Sequence, residues 1–106
     1  MINASAVRQF GRVVRALRRS RLRAQVFEFL CEVYPEWAYP GLIADAVGAS
    51  YENVVGALRG LGKRYRPEDS LLVLGIVEER REGKLRFYRL RDEYVELCRA
   101  LGRGPR

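Results

Sequence analysis

Residues Pro40 to Leu61, PGLIADAVGASYENVVGALRGL, read as two short helices joined by a tight turn. Pro40 suits the first position of a helix, where the amide hydrogen it lacks would have no intrahelical partner. Leu42, Ile43, Ala46 and Val47 then fall on one helical face. Gly48 predicts the end of that helix, since glycine takes left-handed backbone angles without a side-chain clash. Ser50 comes next as an N-cap whose hydroxyl accepts from the free amides of the next turn. Beyond it Val54, Leu58 and Leu61 recur at i, i+4 and i+7 as a buried stripe, which leaves Tyr51, Glu52, Asn53, Gly56, Arg59 and Lys63 on other faces, mostly outward. This second helix is expected over about residues 50–64, running on through Gly62, Lys63, Arg64 and Tyr65 until Arg66-Pro67, where proline disfavours helical angles in the residue before it.

A short helix, the Gly48-Ala49-Ser50 turn and a longer helix with a polar, basic outer face make a helix-turn-helix pattern. The C-terminal segments sharpen it. Leu74-Gly75-Ile76-Val77 leads into EERREGKLRFYRL (78–90), which reads as strands from Ile76 to Arg81 and from Leu85 to Leu90, with Glu82-Gly83 as the tight turn. Tyr88 and Leu90 are expected to face the core, with Arg86 on their side nearer the tip and Leu85 and Phe87 on the other. On these residues the chain, from roughly Leu22 to Leu101, resembles the winged helix-turn-helix domain of ArsR- and MarR-like regulators, most closely small archaeal DNA-binding proteins of that superfamily. The resemblance implies a mainly α (α+β) fold with a two-stranded β-hairpin wing and additional N- and C-terminal helices. It also implies sequence-specific binding of double-stranded DNA by a transcriptional regulator, with the helix at about 50–64 in the major groove and the wing at about 76–90 on the backbone or minor groove.

Side-chain chemistry picks out the candidate contacts. Asn53 can pair bidentately with adenine and Arg59 with guanine, and Tyr51 stands in the same N-terminal half of the helix as Asn53. Ser50 can donate to a phosphate as well as cap, Gly56 is expected on the outer face where it would let the backbone approach the groove, and Glu52 repels phosphates unless it accepts from cytosine. Lys63 and Arg64 extend the basic face, while Arg80, Arg81, Lys84 and Arg86 crowd the hairpin tip and by similarity touch phosphates or the minor groove.

The composition agrees with a polyanionic partner. One domain with a modest core fits 106 residues, and the apolar fraction of 48% argues against disorder. A formal charge of +7 points to nucleic acid before a membrane surface. Eighteen of the twenty basic residues are arginine, which suits bidentate phosphate or guanine contacts and is equally the mark of a biased genome. No run of about 18 apolar residues provides a transmembrane span, and the arginine-interrupted N-terminus lacks the apolar segment of a signal peptide, so a cytoplasmic location is expected.

The remaining segments fill in the domain. Residues 1–20 form a basic N-terminal helix or arm, with Ser5 as a candidate cap and Val7, Phe10, Val14 and Leu17 at helical spacing; residues 21–101 form the winged domain, and 102–106 a flexible basic tail. Seven arginines lie between Arg8 and Arg23, and no acidic residue occurs before Glu28. Three readings of that segment stay open: an arm along a phosphate backbone, a dimerisation helix, or a basic helix packed on its own domain. Ser20 caps a core helix carrying Leu22, Val26, Phe29, Leu30 and Val33, and Trp37 and Tyr39 seal the end of the core, the alternative being stacking on a base or ligand. Asp69 or Ser70 caps a short helix through Leu74, and Asp92 caps a last one carrying Tyr94, Leu97, Cys98 and Leu101. Apolar stripes on both terminal helices point to a homodimer.

Catalytic chemistry finds no footing here. Without histidine there is no usual general base, and Cys31 and Cys98 alone make no ordinary zinc site, so neither an enzyme nor a metal or other cofactor is expected. Buried, reduced thiols are the first expectation for the two cysteines and a disulfide the alternative. Glu78, Glu79 and Glu82 read as surface ion-pair partners. The competing function is a winged-helix module that binds protein or RNA in a transcription or translation assembly. No operator or small-molecule effector is legible.

Overall fold

Ser20 holds extended backbone angles between two helices, and its Oγ accepts from the Arg23 amide at 3.2 Å. The chain therefore turns there, with α1 (Ala4–Arg19) on one side and α2 (Arg21–Val33) on the other. The computed structural model describes residues 4–102 and, of their side chains, all but those of residues 4–7 and 9. Ser5 stands inside α1 and not before it, so it is not the expected cap; the side chains of Ser5 and Val7 and tail residues 103–106 lie outside what is described.

Helix α2 is the spine of the fold. It touches α1, α3 (Pro40–Val47), α4 (Tyr51–Arg59), the hairpin and α5 (Val95–Ala100), so more than one stripe of it is covered. Val26, Phe27, Leu30 and Cys31 are buried, and Leu22, Phe29 and Val33 pack partly exposed against the same cluster. Phe27 joins the core because α1 lies over that side. Helix α1 itself buries Val13 and Leu17, with Phe10 and Val14 packed partly exposed beside them, so its buried face takes in Val13, which the expected stripe left out. Phe10 tilts against Tyr94 with ring centroids 5.9 Å apart.

The helix pair at Pro40 to Arg59 forms by the local rules. Pro40 stands in the first turn of α3, Gly48 ends it at φ 71°, and Ser50 caps α4 by accepting from the Asn53 amide at 3.2 Å. The buried face of α3, however, is Pro40, Ile43 and Ala44, whereas Leu42 is 41% exposed and Ala46 is exposed.

Strands β1 (Val77–Glu82) and β2 (Leu85–Leu90) pair antiparallel, Val77 opposite Leu90 and Glu82 opposite Leu85. The turn is thus Gly83-Lys84 and not Glu82-Gly83. Gly83 takes φ 61° while no non-glycine residue described has positive φ, the arrangement of a turn with glycine first. Tyr88 and Leu90 point into the core as the alternation requires. Ala38 exchanges backbone hydrogen bonds of 2.8 and 2.7 Å with Tyr88, tying the hairpin to the body. In this connection Ala38 is the buried residue, while Trp37 is half-buried and Tyr39 is 49% exposed. Tyr39 therefore does not seal the core.

Two further expectations are corrected. Cys31 on α2 and Cys98 on α5 form a disulfide with Cα atoms 5.8 Å apart, because α5 folds back alongside α2; the cysteines are buried as anticipated but not reduced. The segment after Pro67–Asp69, a single 3₁₀ turn, continues as turns in which Ser70 Oγ accepts from the Val73 amide at 3.2 Å, and no α-helix forms before Gly75. Asp92 does not cap α5: it stands inside a 3₁₀ turn that precedes the helix and accepts from the Tyr34 hydroxyl, while Tyr94, Leu97 and Cys98 are buried and Leu101 is half-exposed. Among the described residues no helix is long and apolar enough to cross a membrane.

Candidate nucleic-acid interface

The end of α4 sets the shape of the site. Gly60 takes φ 86° against Pro67, where any Cβ would lie 2.6 Å from the proline Cα. The carbonyls of Ala57 and Leu58, left open by the helix end, accept from the Leu71 and Leu72 amides at 3.0 and 2.9 Å. Between Gly60 and Pro67 the chain makes a small loop, closed by two hydrogen bonds between Leu61 and Tyr65. So α4 stops at Arg59, and the expectation of a helix to Arg64 is overturned. Leu61 leaves the buried stripe and is 41% exposed. Lys63 and Arg64 sit exposed on the loop.

That loop lays Tyr65 across the outer side of α4. Its ring covers Gly56 so closely that a Cβ there would come within 2.5 and 2.7 Å of ring carbons Cδ2 and Cδ1. Gly56 is buried, and its assignment as a point of close backbone approach to a groove is corrected: the glycine makes room for tyrosine. The Tyr65 hydroxyl donates to Asn53 Oδ1, and the Arg64 guanidinium stands 5.3 Å from the Tyr65 ring. Asn53 is accordingly half-buried, with its side-chain Oδ1 engaged and its side-chain Nδ2 free of any partner among the described residues.

The first turn of α4 remains open. Ser50, Tyr51 and Glu52 are exposed, Tyr51 at 57%. Tyr51 and Arg59 lie on one side of α4 and, with Tyr39, Lys84, Leu85 and Arg86, line a cleft of ≈ 230 Å³ between the helix and the hairpin. Arg59 enters that cleft with its Nε buried and without a hydrogen-bond acceptor among the described residues. A buried, unpaired guanidinium nitrogen costs free energy until an acceptor arrives.

The hairpin cations fall into two groups. Arg80 pairs with Glu82 at 2.7 Å, Arg86 with Glu79 at 3.6 Å and Arg89 with Glu78 at 3.0 Å. Arg81 and Lys84 are exposed and, among the described residues, have no carboxylate partner. Arg89 and Arg80 also flank Trp37, 4.6 and 6.0 Å from its ring. The Tyr88 hydroxyl donates to Glu79 Oε2 at 2.7 Å, and burial, reinforced by that carboxylate, pushes the phenol well above its ordinary value of 10.0. Sequence reasoning missed Tyr65 and Leu85 as parts of this surface, and gave Tyr39 a place on a binding surface only as the alternative to sealing the core. Only for Tyr65 was there a local signal, the closely spaced Gly60 and Gly62, both at positive φ.

Comparison with known proteins agrees with the winged helix-turn-helix fold. The chain superimposes with TM-score 0.61 on the solution structure of the homodimeric winged helix-turn-helix DNA-binding domain of Mb0332 from Mycobacterium bovis, a possible ArsR-family transcriptional regulator, at 27% identity over 93% of this chain and 79% of that one. A crystal structure of a possible transcriptional regulatory protein fragment from the same organism gives the same score and identity, covering 93% of this chain and 91% of that one. In sequence the chain is 35% identical over 80 residues to uncharacterized protein MJ0905 of Methanocaldococcus jannaschii, or 76% of this chain and 72% of the relative. The family model described as EarA-like matches residues 13–101. With its winged helix-turn-helix fold, this chain belongs to the EarA-like family.

Proposed function

We propose that the chain is a homodimeric regulator of transcription that binds double-stranded DNA sequence-specifically in the cytoplasm. The observation that carries this reading is the shared cleft between α4 and the hairpin, where Arg59 holds an unsatisfied Nε beside Lys84. A phosphate in that cleft meets two cations, Arg59 and Lys84. The first turn of α4 then enters the major groove. Ser50 and the exposed helix amides meet phosphate there, while Tyr51 and Asn53 reach base edges, with Asn53 held in orientation by Tyr65. Glu52 tolerates only a cytosine amine at its position. Lys63 and Arg64 grip the backbone from the loop, and Arg81 and Lys84 from the hairpin tip. Arg80 and Arg86 contribute less, because each first has to give up a glutamate.

Support for a dimer comes from a mainly apolar groove of ≈ 220 Å³ lined by Val14, Leu17, Ala24, Phe27 and Leu101, with Arg18 and Glu28 also in its wall. A second copy covers it in this reading, as the Mycobacterium bovis neighbour is a homodimer, and the two α4 helices meet half-sites about 34 Å apart. The test is titration of duplex DNA at several salt concentrations. Expected is a steep loss of affinity as salt rises, with R81A/K84A weakening all sequences alike and flattening the slope of log affinity against log salt by about two. No binding tighter than about micromolar at low salt rejects the reading.

A further inference from the structure

The largest unbalanced charge in the described chain is not on the hairpin. There Arg80, Arg81, Lys84, Arg86 and Arg89 stand against Glu78, Glu79 and Glu82, and three of the arginines are ion-paired. Helix α1 has arginines at 8, 12, 15, 18 and 19 and no acid. Four of them, Arg8, Arg12, Arg15 and Arg19, recur at i, i+4, i+7 and i+11, one straight stripe opposite the buried Val13 and Leu17. All four are exposed, and among the described residues none has a carboxylate partner. Like charges at this spacing repel, destabilising a helix by about 0.2–0.5 kcal/mol per pair. Asp69 is the one carboxylate among the described residues lining the cleft beside the stripe, and four arginines outnumber it; an external polyanion offsets the remainder.

The stripe is also continuous with the interface. Arg12, Arg15 and Arg19 line a cleft with Arg23, against Leu74 and one carboxylate, Asp69. Arg23 is fixed there by donating from Nη1 to the Ala16 carbonyl at 3.2 Å. The same Arg23 and Asp69 line a second cleft with Arg64, Arg66, Tyr65 and Gly56 of α4. A basic path therefore leads from α1 to the Gly56 side of α4, whereas the hairpin cleft opens on its Tyr51 and Arg59 side.

We infer that the arginine stripe of α1 is a second phosphate track, which holds the backbone of the bound duplex beyond the segment met by α4 and the wing. The track rests on the proposed DNA binding and extends its footprint. From Arg8 to Arg19 the stripe runs about 16 Å at the helical rise, the axial length of about five base pairs. Because the arginines meet phosphates alone, the track adds affinity for any sequence and no discrimination.

The test compares the full chain on random-sequence duplexes of about 12 and about 30 base pairs, titrated over a range of potassium chloride. The wild type should show a steeper salt slope on the longer duplex. R12A/R19A should flatten the slope on the longer duplex by about two, at roughly 0.9 per lost contact, and leave the shorter one nearly unchanged. The control R91A/R99A removes two arginines ion-paired to Glu93 and Glu96, and should leave both slopes as they are. Thermal unfolding of R12A/R19A at or above the wild-type midpoint separates lost contacts from lost folding. Equal slopes for R12A/R19A and wild type on the long duplex overturn the track, as does an effect no larger than that of R91A/R99A. A loss seen on hairpin RNA and not on DNA overturns it too. If the wild type binds neither duplex, the DNA-binding reading itself falls; if binding depends on Arg81 and Lys84 but not on Arg12 and Arg19, only the track falls.

Discussion

Gly56→Ala reverses sign depending on what faces it. In an isolated helix the change stabilises by about 1 kcal/mol, since alanine loses less backbone freedom than glycine. In this fold the new methyl would come within 2.5 Å of the Tyr65 ring, well inside contact distance, and the crowded atoms are at the root of the ring, so the whole side chain must leave. Its departure removes the hydrogen bond to Asn53, worth about 1 kcal/mol, and the burial of roughly half an aromatic side chain, worth about 1–2 kcal/mol. Set against the propensity gain, the net effect is a loss of about 1–2 kcal/mol, or a fall in Tm of roughly 5–10 °C for a domain of this size. In a Tyr65→Ala background the obstacle is gone, and the same Gly56→Ala change should stabilise by about 1 kcal/mol. Urea unfolding followed by circular dichroism and by Trp37 fluorescence closes this double-mutant cycle, with a coupling energy of about 2–3 kcal/mol expected. Stabilisation by Gly56→Ala in both backgrounds would refute the packing of Tyr65 on α4.

Three other outcomes are expected. Cys31→Ser with Cys98→Ser opens a cross-link between residues 67 apart and should cost about 4 kcal/mol by loop entropy, read as a lowered urea midpoint matched by adding a reductant to the wild type. Tyr88 is held protonated by burial and by Glu79, so its contribution to stability is complete below pH 10.0 and is lost as pH rises through its raised folded-state value. Ultraviolet titration should show a tyrosine step that appears only as the protein unfolds, and Tyr88→Phe should remove the share of that step that belongs to Tyr88. Asn53→Ala should reduce discrimination between target and random DNA by about 1–3 kcal/mol, and Tyr65→Phe, which only frees the Asn53 oxygen, should reduce it by less. An unchanged ratio in Asn53→Ala removes that residue from base reading.

The boundary between local and distant causes runs through the candidate site itself. Ser20, Pro40, Gly48 and Ser50 act within a turn of their own positions, through a missing amide hydrogen, a permitted left-handed angle or a hydroxyl that reaches three residues ahead. The alternation that buries Tyr88 and Leu90 is likewise a property of a few successive residues. Such features are readable in the chain, and with them the winged helix and the cationic hairpin. The hairpin turn lies one residue beyond its expected place because only the cross-strand register, Glu82 against Leu85, decides which pair forms the loop.

Periodicity assigns a residue to a face, but what covers that face depends on parts of the chain that no spacing connects. The helical repeat puts Gly56 on the outer side of its helix, and Tyr65, returning over it after Gly60, turns that side into a buried seat. Cys31 and Cys98 each read as apolar-facing; their meeting requires α5 to fold back along α2. The arginines of α1 are plain in the chain, yet their continuity with α4 exists only through Arg23 and Asp69, which tertiary packing places between them. Caps, helix starts and strand alternation are set by nearest neighbours along the backbone, whereas helix ends, pairings and clefts are set by which distant surfaces exclude water together.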